Sequence, residues 1–201
     1  MRLWVLGGFL LIVSSAVAQD TTPPQWVAPD GTYRLNPDNV SVTLTARRFL
    51  MSPLEAAFGT VEGNMVVIQG GAGANQLEVV LAAADLTANG PIVEGLLAGE
   101  DFLNAEAHPQ ITFRAEGFEV SNLPVNFAGN LTMAGVTHPI TLESMLQGYE
   151  HDLPTDEVHL IFVVEGELDR RDWGMVRYRR LVANTVRIRI EAGFVRVLGT
   201  D

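Results

Sequence analysis

Short runs in which apolar and polar residues alternate recur along most of the chain. Val40, Val42 and Leu44 alternate with Ser41, Thr43 and Thr45, and Ile111 and Phe113 with Thr112 and Arg114. Leu77, Val79 and Leu81 stand against Glu78, and residues 65–69 and 77–81 read as paired strands joined through Gly70, Gly71 and Gly73. Leu160, Phe162 and Val164 oppose His159 and Glu165, and Val186, Ile188 and Ile190 oppose Arg187, Arg189 and Glu191 in a long final run. A period of two gives a strand one dry face and one wet face.

The clearest example is residues 129–142, GNLTMAGVTHPITL. Leu131 and Met133 alternate with Asn130 and Thr132, and Val125 and Phe127 extend the same side upstream. Ala134-Gly135 interrupts the run, and a second one starts at Val136, as expected for a β-hairpin or corner. Residues 148–157 (GYEHDLPTDE) read as a polar loop. Asn89-Gly90-Pro91 is a turn, and residues 92–97 predict a short helix through the spacing of Ile92, Val93, Leu96 and Leu97. Phe102 and Leu103, just beyond, are expected in the core.

The segment VVIQGGAGAN looks at first like a strand entering a dinucleotide-binding glycine loop. That fingerprint needs a third glycine and a following helix. Gln76 occupies the third position, and the residues after it alternate as a strand does. A hairpin connection is the better reading. The whole pattern amounts to about eight short-spaced strands with helix only in one or two connections, which points to an all-β sandwich or closed barrel.

Length and composition narrow this. The chain has 201 residues, enough for one domain with a sizeable core. It has no cysteine, so disulfides and thiolate chemistry are excluded. The formal charge is −11, which disfavours nucleic acid as a partner and gains nothing from anionic lipid headgroups. At the N-terminus, Arg2 precedes an apolar stretch from Leu3 to Val13, and Ala16-Val17-Ala18 is an A-x-A cleavage site. Residues 1–18 are therefore expected to be a signal peptide cleaved after Ala18, with export to a periplasm or beyond. The stretch falls short of the ~20 residues of a membrane span. Residues 19–31 (QDTTPPQWVAPDG) form a Pro-rich linker, and residues 32–201 the folded domain.

Three motifs in order carry a family resemblance. In residues 129–142, Gly129, Leu131, Thr132, Gly135, Val136, Thr137, Pro139 and Leu142 match G-x-L-T-x-x-G-V-T-x-P-x-x-L. Residues 101–113 (DFLNAEAHPQITF) resemble D-F-F…P-x-I-T-F, and residues 170–175 (RRDWGM) resemble R-x-D-F-G-M with Trp173 for Phe. This combination resembles the YceI-like family of lipid- and polyisoprenoid-binding proteins, over nearly all of the domain. The chain departs from the family at Ala56, where Gly is usual, at Arg47-Arg48, where a His is usual nearby, and at Leu96.

The resemblance implies an eight-stranded antiparallel lipocalin-like barrel with an elongated apolar cavity. It implies an exported, non-enzymatic binding protein without cofactor or metal, whose ligand is an amphiphilic isoprenoid lipid of the polyprenyl phosphate or quinone class. The expected lining is Leu77, Val79, Leu81, Ile111, Phe113, Phe127, Leu131, Met133, Ile140, Leu142, Phe162, Val164, Trp173 and Ile188. Leu96, Leu97 and Phe102 either cap the mouth or plug it. Each of these residues taken singly can also be plain core, and a barrel filled by its own side chains would instead serve as a periplasmic interaction module.

Arg170 has two readings. It can contact a ligand headgroup, or Arg170 and Asp172 can fix a turn while Trp173 and Met175 pack. A homodimer and a transient membrane contact are both compatible with such a barrel. His108, His138, His151 and His159 show no metal-ligand spacing. No G-x-S-x-G elbow is present, and Ser144 lies within a strand run.

Overall fold

The computed structural model describes residues 28–68, 70–120 and 123–198. The expected signal peptide, and the linker up to residue 27, lie outside the described residues. The elements run β1 (Gly31–Arg48), β2 (Met51–Phe58), β3 (Val61–Val67), β4 (Gln76–Ala82), β5 (Leu86–Ala88), α1 (Pro91–Ala98), β6 (Gln110–Glu116), β7 (Val125–Met133), β8 (Val136–Asp152), β9 (Glu157–Asp169) and β10 (Val182–Val197).

These ten strands make eight in space. β2 and β3 both lie antiparallel on the same edge of β1, with Val42 opposite Phe58 and Gly31 opposite Val67. They are two halves of one long strand, broken at Gly59-Thr60. The next strand breaks at the same level. β4 pairs with β3 and β5 with β2, on either side of the 3-10 turn Ala83–Asp85. The two breaks are tied together. Gly59 N–H donates to Asp85 O at 3.2 Å, and the Thr60 hydroxyl donates to the Asp85 carboxylate.

From there the chain meanders through β6, β7, β8 and β9 to β10, each antiparallel to its neighbour. β10 then returns to β1, from Thr32 opposite Val197 to Arg48 opposite Val182, and the barrel closes. Closure leaves only the short outer edge of β5 without a strand partner among the described residues.

Inside this wall the alternation holds. Val125, Phe127, Leu131 and Met133 of β7 are all buried. Gly129 shares their face. A Cβ there would collide with the Arg114 carbonyl oxygen and lie 2.7 Å from Cζ of Phe113, whose ring crosses the gap. The β7–β8 hairpin turns on Ala134 (φ 50°) and Gly135 (φ 75°), the left-handed pair that a two-residue turn between twisted strands requires.

Two local expectations change. Residues 148–152 are strand rather than loop, since Gly148 through Asp152 pair with Ile161 back to Glu157 and only residues 153–156 turn. Backbone pairing extends these strands past the apolar core, so side-chain polarity does not mark their ends. The short helix is present, but Ile92 is 88% exposed and only Leu97 of its four apolar residues is buried. The helix lies over the barrel end and presents a single turn to it. As expected, Phe102 and Leu103 are buried.

Substituting Ala for Gly129 is expected to destabilise the fold by about 1–3 kcal/mol through overpacking. Gly73→Ala, where a Cβ meets nothing within 4 Å, should leave the urea midpoint unchanged or slightly raised. Equilibrium denaturation of the two variants checks the contrast.

Candidate functional site

The barrel encloses two apolar chambers. The first has a volume of about 100 Å³, counted as room for the centre of a water-sized sphere, and only hydrophobic side chains line it. The second has about 70 Å³ on the same measure. Leu44, Met133 and Leu168 line both, so these three side chains stand between the chambers. One water needs roughly 10–15 Å³ of such room, and it also needs polar partners. Cavities walled by Leu, Ile, Val, Phe and Met stay dry and accept apolar guests.

Most of the expected lining residues come together. Leu77, Val79, Leu81, Ile111, Phe113, Phe127, Leu131, Met133, Ile140, Leu142, Phe162, Val164 and Ile188 all face the first chamber. Leu97, Phe102 and Arg170 face the second. Leu96 and Trp173 line neither. Leu96 packs half-buried against the core from α1. Trp173 turns toward the β7–β8 hairpin, where its Nε1–H donates to Leu131 O at 3.1 Å and its ring lies edge-on to His138 at 5.4 Å. Sequence reasoning left Val40, Val42, Leu44, Leu168, Ile190 and Phe194 out of the lining, although all of them face the first chamber. Their signal was the same alternation, continued to the ends of β1, β9 and β10.

The three sequence motifs meet at one end of the barrel. His108, from the segment before β6, lies against Gly135 so closely that a Cβ there would sit 2.6 Å from its Cε1. Trp173 joins the same hairpin from the 3-10 turn Arg170–Trp173. Phe102 lies beside Arg170, with the guanidinium carbon 5.9 Å from the ring centroid. Together the motifs close this end over the second chamber.

Arg170 is only 3% exposed. Leu168 faces inward at the end of β9, and the alternation carries Arg170 inward as well. Its Nε donates to Ala183 O at 3.1 Å, Nη2 to Val182 O at 3.3 Å and Nη1 to Met175 O. These bonds use three of the five guanidinium donors. Burial pulls Arg170 below the usual arginine range, and the charge of Asp169 pushes back.

Arg170 thus fixes the turn, as the structural reading of the motif expects, but through backbone carbonyls, with no ion pair to Asp172 among the described residues. Asp169 instead caps the turn, accepting from Arg171 N at 3.0 Å and pairing with the Arg171 guanidinium. Those hydrogen bonds lower the Asp169 carboxyl to about 2. Gly174 (φ 79°) ends the turn in the left-handed region. Met175 packs, as the structural reading of this motif expects.

Among the described residues, Arg170 is the only titratable side chain lining either chamber. Among the described residues, no group of three or more His, Asp or Glu is placed to hold a metal ion. No helix there is long and apolar enough to cross a membrane, which says nothing of strands.

A family model described as the YceI-like domain matches residues 33–194. A UPF0312 protein of Yersinia pestis (strain Pestoides F) is 26% identical over 172 residues, covering 85% of this chain and 83% of its own. Among solved structures, Burkholderia cenocepacia BcnA superposes with a TM-score of 0.68 at 17% identity, covering 79% of this chain and 98% of its own. A polyisoprenoid binding domain from Saccharophagus degradans, implicated in plant cell wall breakdown, gives 0.59 at 12% identity, with coverages of 82% and 98%.

Two outcomes are expected of the closing turn. Arg170→Met leaves one buried and two part-buried carbonyls without this donor and should cost about 2–3 kcal/mol in equilibrium unfolding. Arg170→Lys should restore little, since one ammonium cannot span three acceptors at the corners of a guanidinium. The second outcome concerns acid. The folded Asp169 value, about 2, lies below its ordinary 3.8. The stability it supplies is complete above 3.8 and is lost as pH falls toward 2. Asp169→Asn should therefore flatten the fall of melting temperature across that window.

Proposed function

The chain belongs to the YceI-like family, and from that premise we propose that it is an exported, non-catalytic binding protein that holds the tail of an isoprenoid lipid or quinone-like amphiphile inside the barrel. The observation that carries the reading is the pair of largely apolar chambers that meet at Leu44, Met133 and Leu168. Each CH₂ moved from water into such a lining gains about 0.8 kcal/mol. A long isoprenoid tail can thus be held with no specific chemistry. A slim tail also needs little freedom around its axis, so modest volumes arranged end to end suit it better than one wide chamber.

Arg170 is the candidate headgroup contact. It sits in the wall of the second chamber, and two of its N–H groups have no hydrogen bond among the described residues. A phosphate oxygen or quinone carbonyl is the complementary acceptor. The polyisoprenoid ligand named for the Saccharophagus degradans domain supports this ligand class. The leader ending at Ala18 supports export. Lining residues that offer no acid–base pair support binding over catalysis.

The small size of the chambers favours one competing reading, a barrel filled by its own side chains that acts as an interaction module. Native mass spectrometry separates the two. A carrier retains or takes up a quinone or polyprenol of several isoprene units, whereas a filled barrel stays ligand-free under the same loading. Enlarging a side chain between the chambers gives a sharper check. Leu168→Phe should weaken binding of a long-chain quinone by about tenfold, 1.4 kcal/mol, and leave a one-unit analogue nearly unaffected, with an unchanged circular dichroism spectrum confirming the fold.

A further inference from the structure

The surface at the motif-closed end of the barrel differs from the remainder. Two loops lie side by side there, the β1–β2 turn (residues 47–51, RRFLM) and residues 176–181 (VRYRRL). Phe49 N–H donates to Leu181 O at 2.9 Å, and Arg48 pairs with Val182 in the ladder. These two stretches hold five of the chain's 13 basic residues and none of its 24 acidic ones. Elsewhere Arg114, Arg187, Arg189 and Arg196 each meet a carboxylate. At this tip Arg177 reaches Asp101 at only 3.4 Å, and Arg48 donates to the carbonyls of Ser52 and Pro53. Arg47, Arg179 and Arg180 have no carboxylate partner among the described residues.

Apolar side chains stand between these arginines. Leu50 is 89% exposed, and Phe49, Met51, Val176 and Leu181 are each more than half exposed. Leu50 and Tyr178 both hold φ near 56°, in the left-handed region that a bulky side chain seldom occupies. The apolar tip is thus maintained against backbone preference as well as against water.

We propose that this tip docks the protein on an anionic lipid bilayer. The guanidiniums would lie at headgroup level, and Phe49, Leu50, Met51, Val176 and Leu181 would enter the acyl boundary. Cationic groups beside exposed Leu, Met and Phe are the composition that binds such a surface. A single-stranded polyanion calls for a run of stacking aromatics instead, and here Tyr178 is already stacked on Phe102, which leaves Phe49 as the one other aromatic ring of the two loops.

The net charge of −11 is spread over the whole barrel. The strands of the wall run up to 18 residues at about 3.3 Å each, so carboxylates at the opposite end lie well beyond a Debye length of about 8 Å, and Asp101 and Glu55 are acidic groups near the tip that the arginines outnumber. Leu54, Met175 and Val182, beside the tip, also wall the second chamber. Docking would bring that wall to the membrane, a consequence that rests on the binding reading, while the docking itself does not.

The chain has no cysteine, so S52C at the tip and L153C at the opposite end each give the full-length protein one labelling site. Each is labelled with an environment-sensitive dye and mixed with vesicles of phosphatidylcholine containing phosphatidylglycerol, or of phosphatidylcholine alone. The expected result is a blue shift of the S52C label on the anionic vesicles only, with the L153C label unmoved. The double variant R179E/R180E in the S52C background should weaken the response at least tenfold. Equal shifts at both sites, no shift at either, or full binding by R179E/R180E would each overturn the proposal. So would a matching response to a soluble polyanion, which would make the tip a polyanion site. None of these readings depends on whether the interior holds a ligand, so failure here and failure of the binding reading are distinguishable.

Discussion

The pairing of β10 with β1 along nearly their full lengths is the constraint on which the other features depend. Once the ring closes, the ladder occupies the backbone donors and acceptors along this seam, and the interior receives only side chains. The polarity of that interior then follows from parity along each strand. Apolar residues hold the inward positions even where Met145, Ile161 and Val163 also stand on the outer face, so an apolar interior needs no dedicated polar partners. The same rule explains the exception. Arg170 follows Asp169 and Leu168 with alternation intact, so a cation is carried inward where the wall ends. The carbonyls of Met175, Val182 and Ala183 keep it hydrogen-bonded there.

Sequence patterning was informative wherever burial alternates, and silent where geometry alone decides. The hairpin at Ala134-Gly135 and the inward faces of β6, β7 and β9 could be read because apolar and polar residues trade places along them, whereas the strand expected over residues 65–69 lies at Val61–Val67 and pairs through residues 61–66 with 76–81. The breaks at Gly59-Thr60 and Ala83–Asp85 could not, because they are set by two neighbouring strands bending together and tied through Asp85. The strand state of residues 148–152 was hidden for a related reason. At the rim both faces are wet, and only backbone pairing with β9 identifies a strand.

The site divides along the same line. The first chamber was largely visible in the alternation. The second was not, because Leu97, Phe102, Arg170 and Met175 reach it from a helix, a loop and a turn whose directions are fixed by long-range packing. The family motifs marked these segments without showing that they meet. Their meeting explains the spacing of the small residues among them. Gly135 is flush because His108 lies on it, and Gly129 is bare because the Phe113 ring lies across it.

A void has a cost that bears on what the barrel is for. At about 24 cal/mol per Å³, the two chambers together cost roughly 4 kcal/mol relative to a filled interior, a substantial share of a typical domain's stability of about 5–15 kcal/mol. Small repacking could remove much of it, since Val79, Leu44 and Ile190 all line the first chamber and each could be a larger residue. A guest seated in both chambers would recover the lost dispersion contacts and stabilise the fold by mass action. The partition at Leu44, Met133 and Leu168 would make that recovery selective. A short apolar molecule would fill one chamber only, whereas a long slim tail passing between them would fill both and gain the sum. On the binding reading proposed above, preference for chain length would reside in the three side chains that the chambers share, and preference for headgroup in the single guanidinium at the end.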